Sequence, residues 1–250
     1  MIILKTDEQI EKMHAAGKLL AQVHKELRKK IVPGVTTMEL DKFVEEYLLE
    51  RGAYPEQKGY QGYPYAICAS INDEICHGFP RHEPLKEGDI VTIDMVVRLD
   101  DALADSAWSY AVGEISEEKQ RLLDVTKESL YRAIDQVKIG NRLGDIGHAI
   151  QSYVEPLGYS VVRDFIGHGI GRNMHEDPQV LHYGKPGRGQ RLMEGMVFTI
   201  EPMINTGGYE IKMDDNEWTA RTKDGSMSAQ YEHTLALTKD GVIILTEQED

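Results

Sequence analysis

The sequence predicts an α+β fold, because amphipathic helical patterns and β-rich runs follow one another in the order helix, helix, strands, and this order occurs twice. The helical patterns begin near Thr6, Thr36, Ser116 and Gly140. The β-rich runs cover residues 90–98, 103–112, 196–203 and 231–238. Since no Pro/Ser-rich linker or low-complexity tract divides the chain, we expect residues 1–250 to form a single domain around one core.

The ends of the helices carry recognisable signals. Thr6 followed by Gln9 resembles a capping box, and Pro33-Gly34 ends the apolar pattern that follows. Thr36 followed by Glu39 has the same form, and Gly52 is placed to cap that second helix. The sequence therefore predicts two capped helices before the first strands.

Two segments of the chain also share the same spacing of glycines and apolar residues. The segment from Gly34 to Gly52 and the segment from Gly140 to Gly158 have equal length and align at an offset of 106 residues. Apolar residues then match in pairs, namely Leu40 with Ile146, Val44 with Ile150, Tyr47 with Tyr153 and Leu48 with Val154. This pattern predicts duplicated halves of roughly 1–113 and 114–250. The alternative is that two amphipathic helices with glycine caps align by chance.

Composition and charge narrow the functional classes. Lys and Arg total 28 against 42 Asp and Glu, and the formal charge of −14 disfavours tight binding of nucleic acid. Cys68 and Cys76 lack metal-ligand spacing and indicate no disulfide framework. Acidic and basic residues interrupt residues 1–12, and no apolar run reaches 18 residues. We therefore expect a cytoplasmic protein without a membrane segment.

One ionisable residue interrupts the apolar strand at residues 90–97. If residues 98–101 form a four-residue hairpin loop, Asp94 lies directly opposite Asp105, with their Cβ atoms roughly 5 Å apart. Like charges at that distance in an apolar setting require either a proton or a cation between them. The alternative is a pair of solvated acids on an edge hairpin.

Two further acids have the same character. Glu201 interrupts an apolar strand just before Pro202, and it lies 107 residues after Asp94, within one residue of the repeat offset. This match favours duplication over chance alignment. Glu232 stands at the start of another strand. Each acid alone could be a paired core carboxylate, but four in strand interiors favour a shared site.

A histidine completes this set. His168 lies between Gly167 and Gly169, and the absence of side chains there would let a backbone or a ligand approach the imidazole closely. A lone histidine in an apolar stretch is more often a satisfied core residue, but the four acids favour a ligand. Four carboxylates and one imidazole suit a pair of Mn(II), Fe(II) or Co(II) ions better than a structural zinc.

In this order the five residues closely resemble the ligands of the type I methionine aminopeptidases, and the likeness covers essentially the whole chain. The matching motifs are Cys76-His77-Gly78, Gly167-His168-Gly169-Ile170-Gly171, His175-Glu176-Asp177-Pro178, Thr199-Ile200-Glu201-Pro202 and Gln230-Tyr231-Glu232-His233-Thr234. The resemblance implies a pita-bread fold, in which two pseudo-symmetric halves contribute helices and antiparallel strands around a central curved sheet.

The resemblance also implies roles. Asp94 would bind the first of two divalent ions, Asp105 and Glu232 would bridge both, and His168 and Glu201 would complete the second site. The ions would be Mn, Fe or Co, and Zn is also compatible. Glu201 would serve as the general base, while His175 would stabilise the oxyanion and His77 would contact the substrate amide.

The substrate implied is the N-terminal methionine of nascent polypeptides with a small second residue, with transient contact to ribosomes and a monomeric enzyme. The pocket for the methionine side chain would be lined by Tyr60, Tyr63, Cys68, Met174 and Trp218. The chain departs from the common family pattern at Gln57, where cysteine is usual, at Met174, where an aromatic residue is usual, and at Ala104 and Ser106.

Two alternatives accompany this interpretation. Proline-specific aminopeptidases and prolidases share the five-ligand pattern, but they usually carry an extra N-terminal domain for which 250 residues leave no room. Catalytically inactive binding homologues on the same fold lose ligands, whereas all five are present here.

Overall fold

The computed structural model describes residues 1–248. Four α-helices are present in this part of the chain: α1 (Asp7–Lys30), α2 (Thr37–Leu49), α3 (Glu117–Ile134) and α4 (Leu143–Val154). The strands are β1 (Ala53–Pro55), β2 (Cys68–Ile71), β3 (Glu74–Cys76), β4 (Ile90–Leu99), β5 (Ala102–Ala111), β6 (Ser160–Val161), β7 (Gly167–Gly169), β8 (Glu176–Val180), β9 (Val197–Ile200), β10 (Met203–Asn205), β11 (Ile211–Met213), β12 (Ala220–Thr222), β13 (Ser228–Gln230), β14 (His233–Thr238) and β15 (Gly241–Ile244).

The predicted helix signals are confirmed. Thr6 and Gln9 exchange the two hydrogen bonds of a capping box at the start of α1, and Thr36 and Glu39 do the same for α2. Ser116 caps α3 by accepting a hydrogen bond from the backbone N–H of Lys119. These caps satisfy N–H groups that have no partner within the helix.

The residues paired by the 106-residue offset occupy similar environments. Gly34 and Gly140 adopt φ values of 96° and 93°, and Gly52 and Gly158 adopt 70° and 91°. The apolar residues matched in α2 and α4 turn toward the core, the aliphatic ones fully buried and both tyrosines partly so. The division into duplicated halves remains a proposal.

The strands form antiparallel sheets, so with the helices the molecule has the predicted α+β architecture. In one sheet β4 pairs with β5 along its whole length, while β1 and β2 share its other edge. A second sheet has the order β15-β14-β9-β7-β8, and β10 lies between β13 and β6. Among the helices of residues 1–248, none has both the length and the apolar content needed to cross a bilayer.

The predicted register of the β4–β5 hairpin is wrong by two residues. A two-residue turn at Asp100-Asp101 replaces the expected four-residue loop, because Asp100 adopts the left-handed φ of 52° that aspartate tolerates. Asp94 therefore lies opposite Ala107, and Asp105 lies opposite Val96. Since side chains alternate with a period of two, a shift of two keeps both acids on one face as diagonal neighbours.

The placement of the other two acids inside strands is also wrong, because both occupy breaks between strands. Glu201 falls between β9 and β10, and Glu232 falls between β13 and β14. Ile200 faces His233 and Met203 faces Gln230, so one step from the first pair, or two steps from the second, sets Glu201 across from Glu232. The interruptions therefore coincide on neighbouring strands.

Acid will destabilise the protein through its buried histidines. Burial lowers the pKa of His24 from 6.5 to about 3. The imidazole therefore stays neutral in the folded protein, whereas in the unfolded chain it takes up a proton below pH 6.5. The free energy of unfolding should therefore fall as pH drops from 6.5 toward 3, by up to about 1.4 kcal/mol per pH unit from this residue.

The check is urea unfolding of the wild type and His24→Gln between pH 7.5 and 5. As the pH falls, the free energy of unfolding should decrease less steeply in the variant than in the wild type. The difference between the two slopes should correspond to the uptake of about one proton. His148→Gln is the control, because His148 is exposed on α4. Equal pH slopes for His24→Gln and the wild type would contradict the assignment.

Candidate metal centre

A cavity of about 220 Å³ opens between the sheets. Every residue predicted for the site lines it: Asp94, Asp105, His168, Glu201 and Glu232 as expected ligands, and Tyr60, Tyr63, Cys68, His77, Met174, His175 and Trp218 as expected substrate contacts. The structure thus gathers residues that lie as far as 172 positions apart in the sequence, from Tyr60 to Glu232.

Hydrogen bonds to the main chain, rather than ion pairs, hold two of the acids in place. The hydroxyl of Thr234 donates to the carbonyl of Asp105 at 2.7 Å and accepts from its N–H at 3.0 Å. The N–H of Glu232 donates to the carbonyl of Ala107 on β5 at 2.8 Å. Two acids from distant segments are therefore placed by their main chains.

Close backbone packing explains the glycines around His168. A Cβ at Gly167 would lie 2.5 Å from the carbonyl oxygen of Thr199, and one at Gly169 would collide with the carbonyl oxygen of Asp177. The Nδ1–H of His168 donates to the carbonyl of Gly169 at 3.0 Å. This bond leaves Nε2 directed at the acids, 3.5 Å from Asp105 Oδ2 and 3.5 Å from Glu201 Oε1.

The carboxylates sit where negative charge is unfavourable. Burial, with repulsion from Asp105, raises the pKa of Asp94 well above its usual range, and burial and the neighbouring acids do the same for Glu232. Burial raises the pKa of Glu201 to about 7. Burial alone would lower the pKa of His168, but the hydrogen bond with Asp105 and the charge of Glu201 outweigh it and raise that pKa to about 9.

The donor set fits divalent cations. Ligand atoms of Asp105, His168 and Glu232 lie within 4.8 Å of one another. Glu232 is 1% exposed, yet neither of its oxygens receives a hydrogen bond from an N–H or hydroxyl group among residues 1–248. The nearby carboxylate of Glu201 could bond to it only by taking up a proton. A cation would satisfy these oxygens and offset the repulsion.

Two more histidines face the cavity. The hydroxyl of Tyr60 lies 3.0 Å from Nδ1 of His175, and the rings of His175 and His168 are 4.3 Å apart. His77 adopts a left-handed φ of 56°, and the hydroxyl of Thr219 donates to its carbonyl at 3.2 Å. Burial lowers the pKa of His77 to about 4 and that of His175 below its usual range.

An apolar and aromatic wall closes one side of the cavity. The rings of Tyr63 and Trp218 meet edge to face at 5.1 Å, and the Tyr63 hydroxyl donates to the carbonyl of Ile67 at 2.8 Å. Met174 is 6% exposed and Cys68 is 7% exposed. Both cysteines carry free thiols.

Sequence reasoning missed several lining residues: Gln61, Cys76, Val96, Phe165, Ile166, Met203 and Gln230. Val96, Met203 and Gln230 lie two positions from Asp94, Glu201 and Glu232 respectively. Because residues two apart on a strand share a face, that spacing was the signal that could have identified them.

Gln57, one of the departures from the family pattern, bonds to the main chain of β4. Its Oε1 accepts from the N–H of Val96 at 2.8 Å, and its Nε2 donates to the carbonyl of Asp94 at 3.3 Å. Along this edge of β4, pairing with β1 covers Val97 to Leu99 and pairing with β2 covers Val91 to Asp94. The side-chain amide thus fills the gap between two paired stretches.

Gln57→Met should therefore destabilise the protein by about 1–3 kcal/mol, because it keeps the volume but leaves a buried N–H without its acceptor. Chemical denaturation of the metal-free protein measures this. Gln61→Met, at the more exposed neighbouring glutamine, is the control and should change the stability by less than about 0.5 kcal/mol. Equal stability of Gln57→Met and the wild type would show that the amide contributes nothing.

Buried carboxylates with one imidazole lining a cavity are typical of metal-dependent hydrolases. The chain belongs to metallopeptidase family M24, whose family model matches residues 11–239.

Named relatives agree with this assignment. The chain is 50% identical over 247 residues to a methionine aminopeptidase of Clostridium acetobutylicum, covering 98% of this chain and 99% of the relative. It superposes on the crystal structure of a methionine aminopeptidase from Rickettsia prowazekii with a TM-score of 0.97 at 46% identity, covering 99% and 100% of the two chains. The prolidase of Pyrococcus furiosus matches with a TM-score of 0.80 at 23% identity over 66% of its length, which shows the shared fold alone. The fold is thus the pita-bread fold that the sequence predicts.

Proposed function

We propose that the protein is a metal-dependent methionine aminopeptidase, which removes the N-terminal methionine from polypeptides whose second residue is small. The observation that carries the proposal is the buried carboxylate of Glu232, which has no donor partner among residues 1–248 and lies beside Asp105 and His168. Near 50% identity to methionine aminopeptidases along the whole chain supports the substrate class. The prolidase alternative is supported by the fold only.

The five residues expected as ligands would hold two divalent ions, and the oxygen-rich set favours Mn, Fe or Co, with Zn compatible. Asp94 would bind one ion, His168 and Glu201 the other, and Asp105 and Glu232 would bridge them. When bound, the ions would supply an acidified water as nucleophile and a Lewis acid for the scissile carbonyl. Because the Nδ1–H of His168 donates to the carbonyl of Gly169, Nε2 is the ring nitrogen that faces the acids, and it would bind an ion after releasing its proton.

Glu201 would act as the general base. Its Oε1 accepts from the hydroxyl of Thr199 at 2.8 Å, and its Oε2 lies 3.4 Å from Nε2 of Gln230, so both carboxylate oxygens have a defined orientation. In this role Glu201 would take a proton from the attacking water and pass it to the leaving amine.

The two cavity histidines would act on the peptide bond. The Tyr60 hydroxyl lies at Nδ1 of His175, so the substrate would meet the other ring nitrogen, Nε2. An N–H at Nε2 would stabilise the developing oxyanion. His77 would contact the substrate amide. The wall of Tyr63, Cys68, Met174 and Trp218 would receive the methionine side chain, whose flexible thioether suits aromatic and sulfur-containing surroundings.

We further propose that the protein acts in the cytoplasm as a monomer on nascent polypeptides, with transient contact to ribosomes. The formal charge of −14 supports brief rather than tight association with RNA.

The test is peptide hydrolysis by the full chain loaded with Mn²⁺. Met-Ala-Ser should be cleaved faster than an Xaa-Pro peptide, and faster than Met-Leu-Ser, in which the second residue is bulky. Faster turnover of the Xaa-Pro peptide would replace the proposal by a prolidase-like activity. Cleavage of none of the peptides at any metal loading would favour the inactive binding homologue.

A further inference from the structure

A fully buried histidine contacts the main chain at the break that holds Glu201. His182 is 0% exposed and lies just beyond the end of β8. Its Nε2 accepts a hydrogen bond from the backbone N–H of Glu201 at 3.1 Å. Its Nδ1 has no hydrogen-bond partner among the described residues. The ring is therefore joined to the rest of the site through one directed bond.

The break explains why this bond is needed. Gly169 on β7 lies opposite Phe198 on β9, so three further steps along that register would set Ile166 opposite Glu201. However, β7 begins at Gly167, and Pro202 has no N–H with which to continue the ladder on the other side. The N–H of Glu201 would be a partly buried donor without an acceptor if the imidazole were absent.

The direction of the bond defines the state of the ring. A backbone N–H can only donate, so Nε2 of His182 carries a lone pair and the proton of the neutral ring is on Nδ1. Burial lowers the pKa of His182 to about 3, in keeping with a neutral ring at physiological pH. An acceptor at the ε position of this side chain is therefore the feature on which the contact depends.

We infer that His182 is a positioning residue, which fixes the main chain of Glu201 so that its carboxylate points into the cavity opposite Glu232. Thr199 and Gln230 orient the carboxylate itself, whereas His182 holds the backbone from which it extends. The inference rests on the proposed function, since it assigns His182 a part in placing the base and metal ligand.

Three substitutions separate this role from simple filling of space. His182→Gln places a carbonyl oxygen at the ε position, where it can accept the Glu201 N–H. His182→Asn places its oxygen at the δ position, one bond short, and His182→Leu removes the acceptor. The matched control is His24→Leu, which removes another fully buried imidazole whose partner is the Tyr110 hydroxyl at 2.7 Å.

The measurements are kcat and KM for Met-Ala-Ser at saturating Mn²⁺, and the affinity for Mn²⁺ by calorimetry. His182→Leu and His182→Asn should lose about 10–100-fold in kcat with KM within about twofold, and should bind Mn²⁺ about tenfold more weakly. His182→Gln should stay within about threefold of the wild type in both. His24→Leu should lower the unfolding temperature and leave Mn²⁺ affinity within about twofold.

Equal losses in His182→Gln and His182→Leu, or wild-type behaviour of His182→Leu, would overturn the inference. If His182→Leu does not fold, the ranking of His182→Gln above His182→Asn decides. Mn²⁺ affinity keeps the two proposals apart: a wild type that binds Mn²⁺ but does not cleave Met-Ala-Ser refutes the proposed function, while the order of affinities still tests His182.

Discussion

Replacing Asp105 or Glu232 by alanine should lower kcat/KM for Met-Ala-Ser by about 10³-fold or more. The bound ions are expected to supply several kcal/mol of transition-state stabilisation, and each 1.36 kcal/mol corresponds to a factor of ten in rate. Both residues contribute to the same buried cluster with His168, so either substitution would remove one of the two carboxylates proposed to bridge the ions. Steady-state kinetics at graded Mn²⁺ concentrations measures the effect.

The same cluster predicts opposite effects on stability with and without metal. Without metal, Glu232→Gln should unfold at a higher temperature than the wild type, because the buried carboxyl must either carry a charge beside the other acids or take up a proton on folding, and the amide does neither. Mn²⁺ at 100 times its Kd should stabilise the wild type by about 2.7 kcal/mol and the variant far less. Thermal unfolding in chelator and in Mn²⁺ gives both quantities.

Asp124→Ala is the control for this pair of experiments, because Asp124 is an exposed acid on α3, outside the cavity. It should change neither kcat/KM nor the stabilisation by Mn²⁺. Full cleavage activity in Asp105→Ala or Glu232→Ala would show that the two-metal assignment is wrong.

His175→Ala should reduce kcat by about 10²–10³-fold with little change in KM, the loss expected for one donor to a developing oxyanion. The imidazole lies in the cavity beside His168 and is held by the Tyr60 hydroxyl on Nδ1. Tyr60→Phe should cause a smaller loss, because it loosens the ring without removing it. Kinetics with Met-Ala-Ser at saturating Mn²⁺ distinguishes these effects.

Calorimetry of Mn²⁺ binding supplies the necessary check, since His175→Ala should bind the ion within about threefold of the wild type if its role is to contact substrate. His148→Ala, at an exposed position on α4, should behave as the wild type. A rise in KM at constant kcat would instead assign His175 to ground-state binding.

Short-range chemistry made much of the fold predictable. The capping boxes at Thr6 and Thr36 depend on residues three apart, and the long apolar runs of β4 and β5 carry their own periodicity. The site was predictable in composition because a carboxylate in an apolar strand is costly without a partner. A motif order that resembles the type I methionine aminopeptidases then assigned the family, and the family comparison agrees.

Register and breaks were not predictable in this way. Whether Asp94 faces Asp105 or Ala107 depends on a turn that differs by only two residues in length, and a shift of two leaves the buried face unchanged. Hydrophobic patterning therefore gives little discrimination between the two registers. The interruption at Glu201 likewise depends on where β7 begins, and that strand begins at Gly167, far from Glu201 in the sequence.

The sequence by itself determined the helices, the strands that carry Asp94 and Asp105, and which residue types could bind a divalent ion. Only the tertiary structure decided that Glu201 and Glu232 leave their strands at coincident breaks, and that His182 and Gln57 satisfy the main chain beside Glu201 and Asp94. The reason is that a backbone group without a ladder partner must find one wherever the fold brings an acceptor or donor close, and that proximity is set by packing between distant segments.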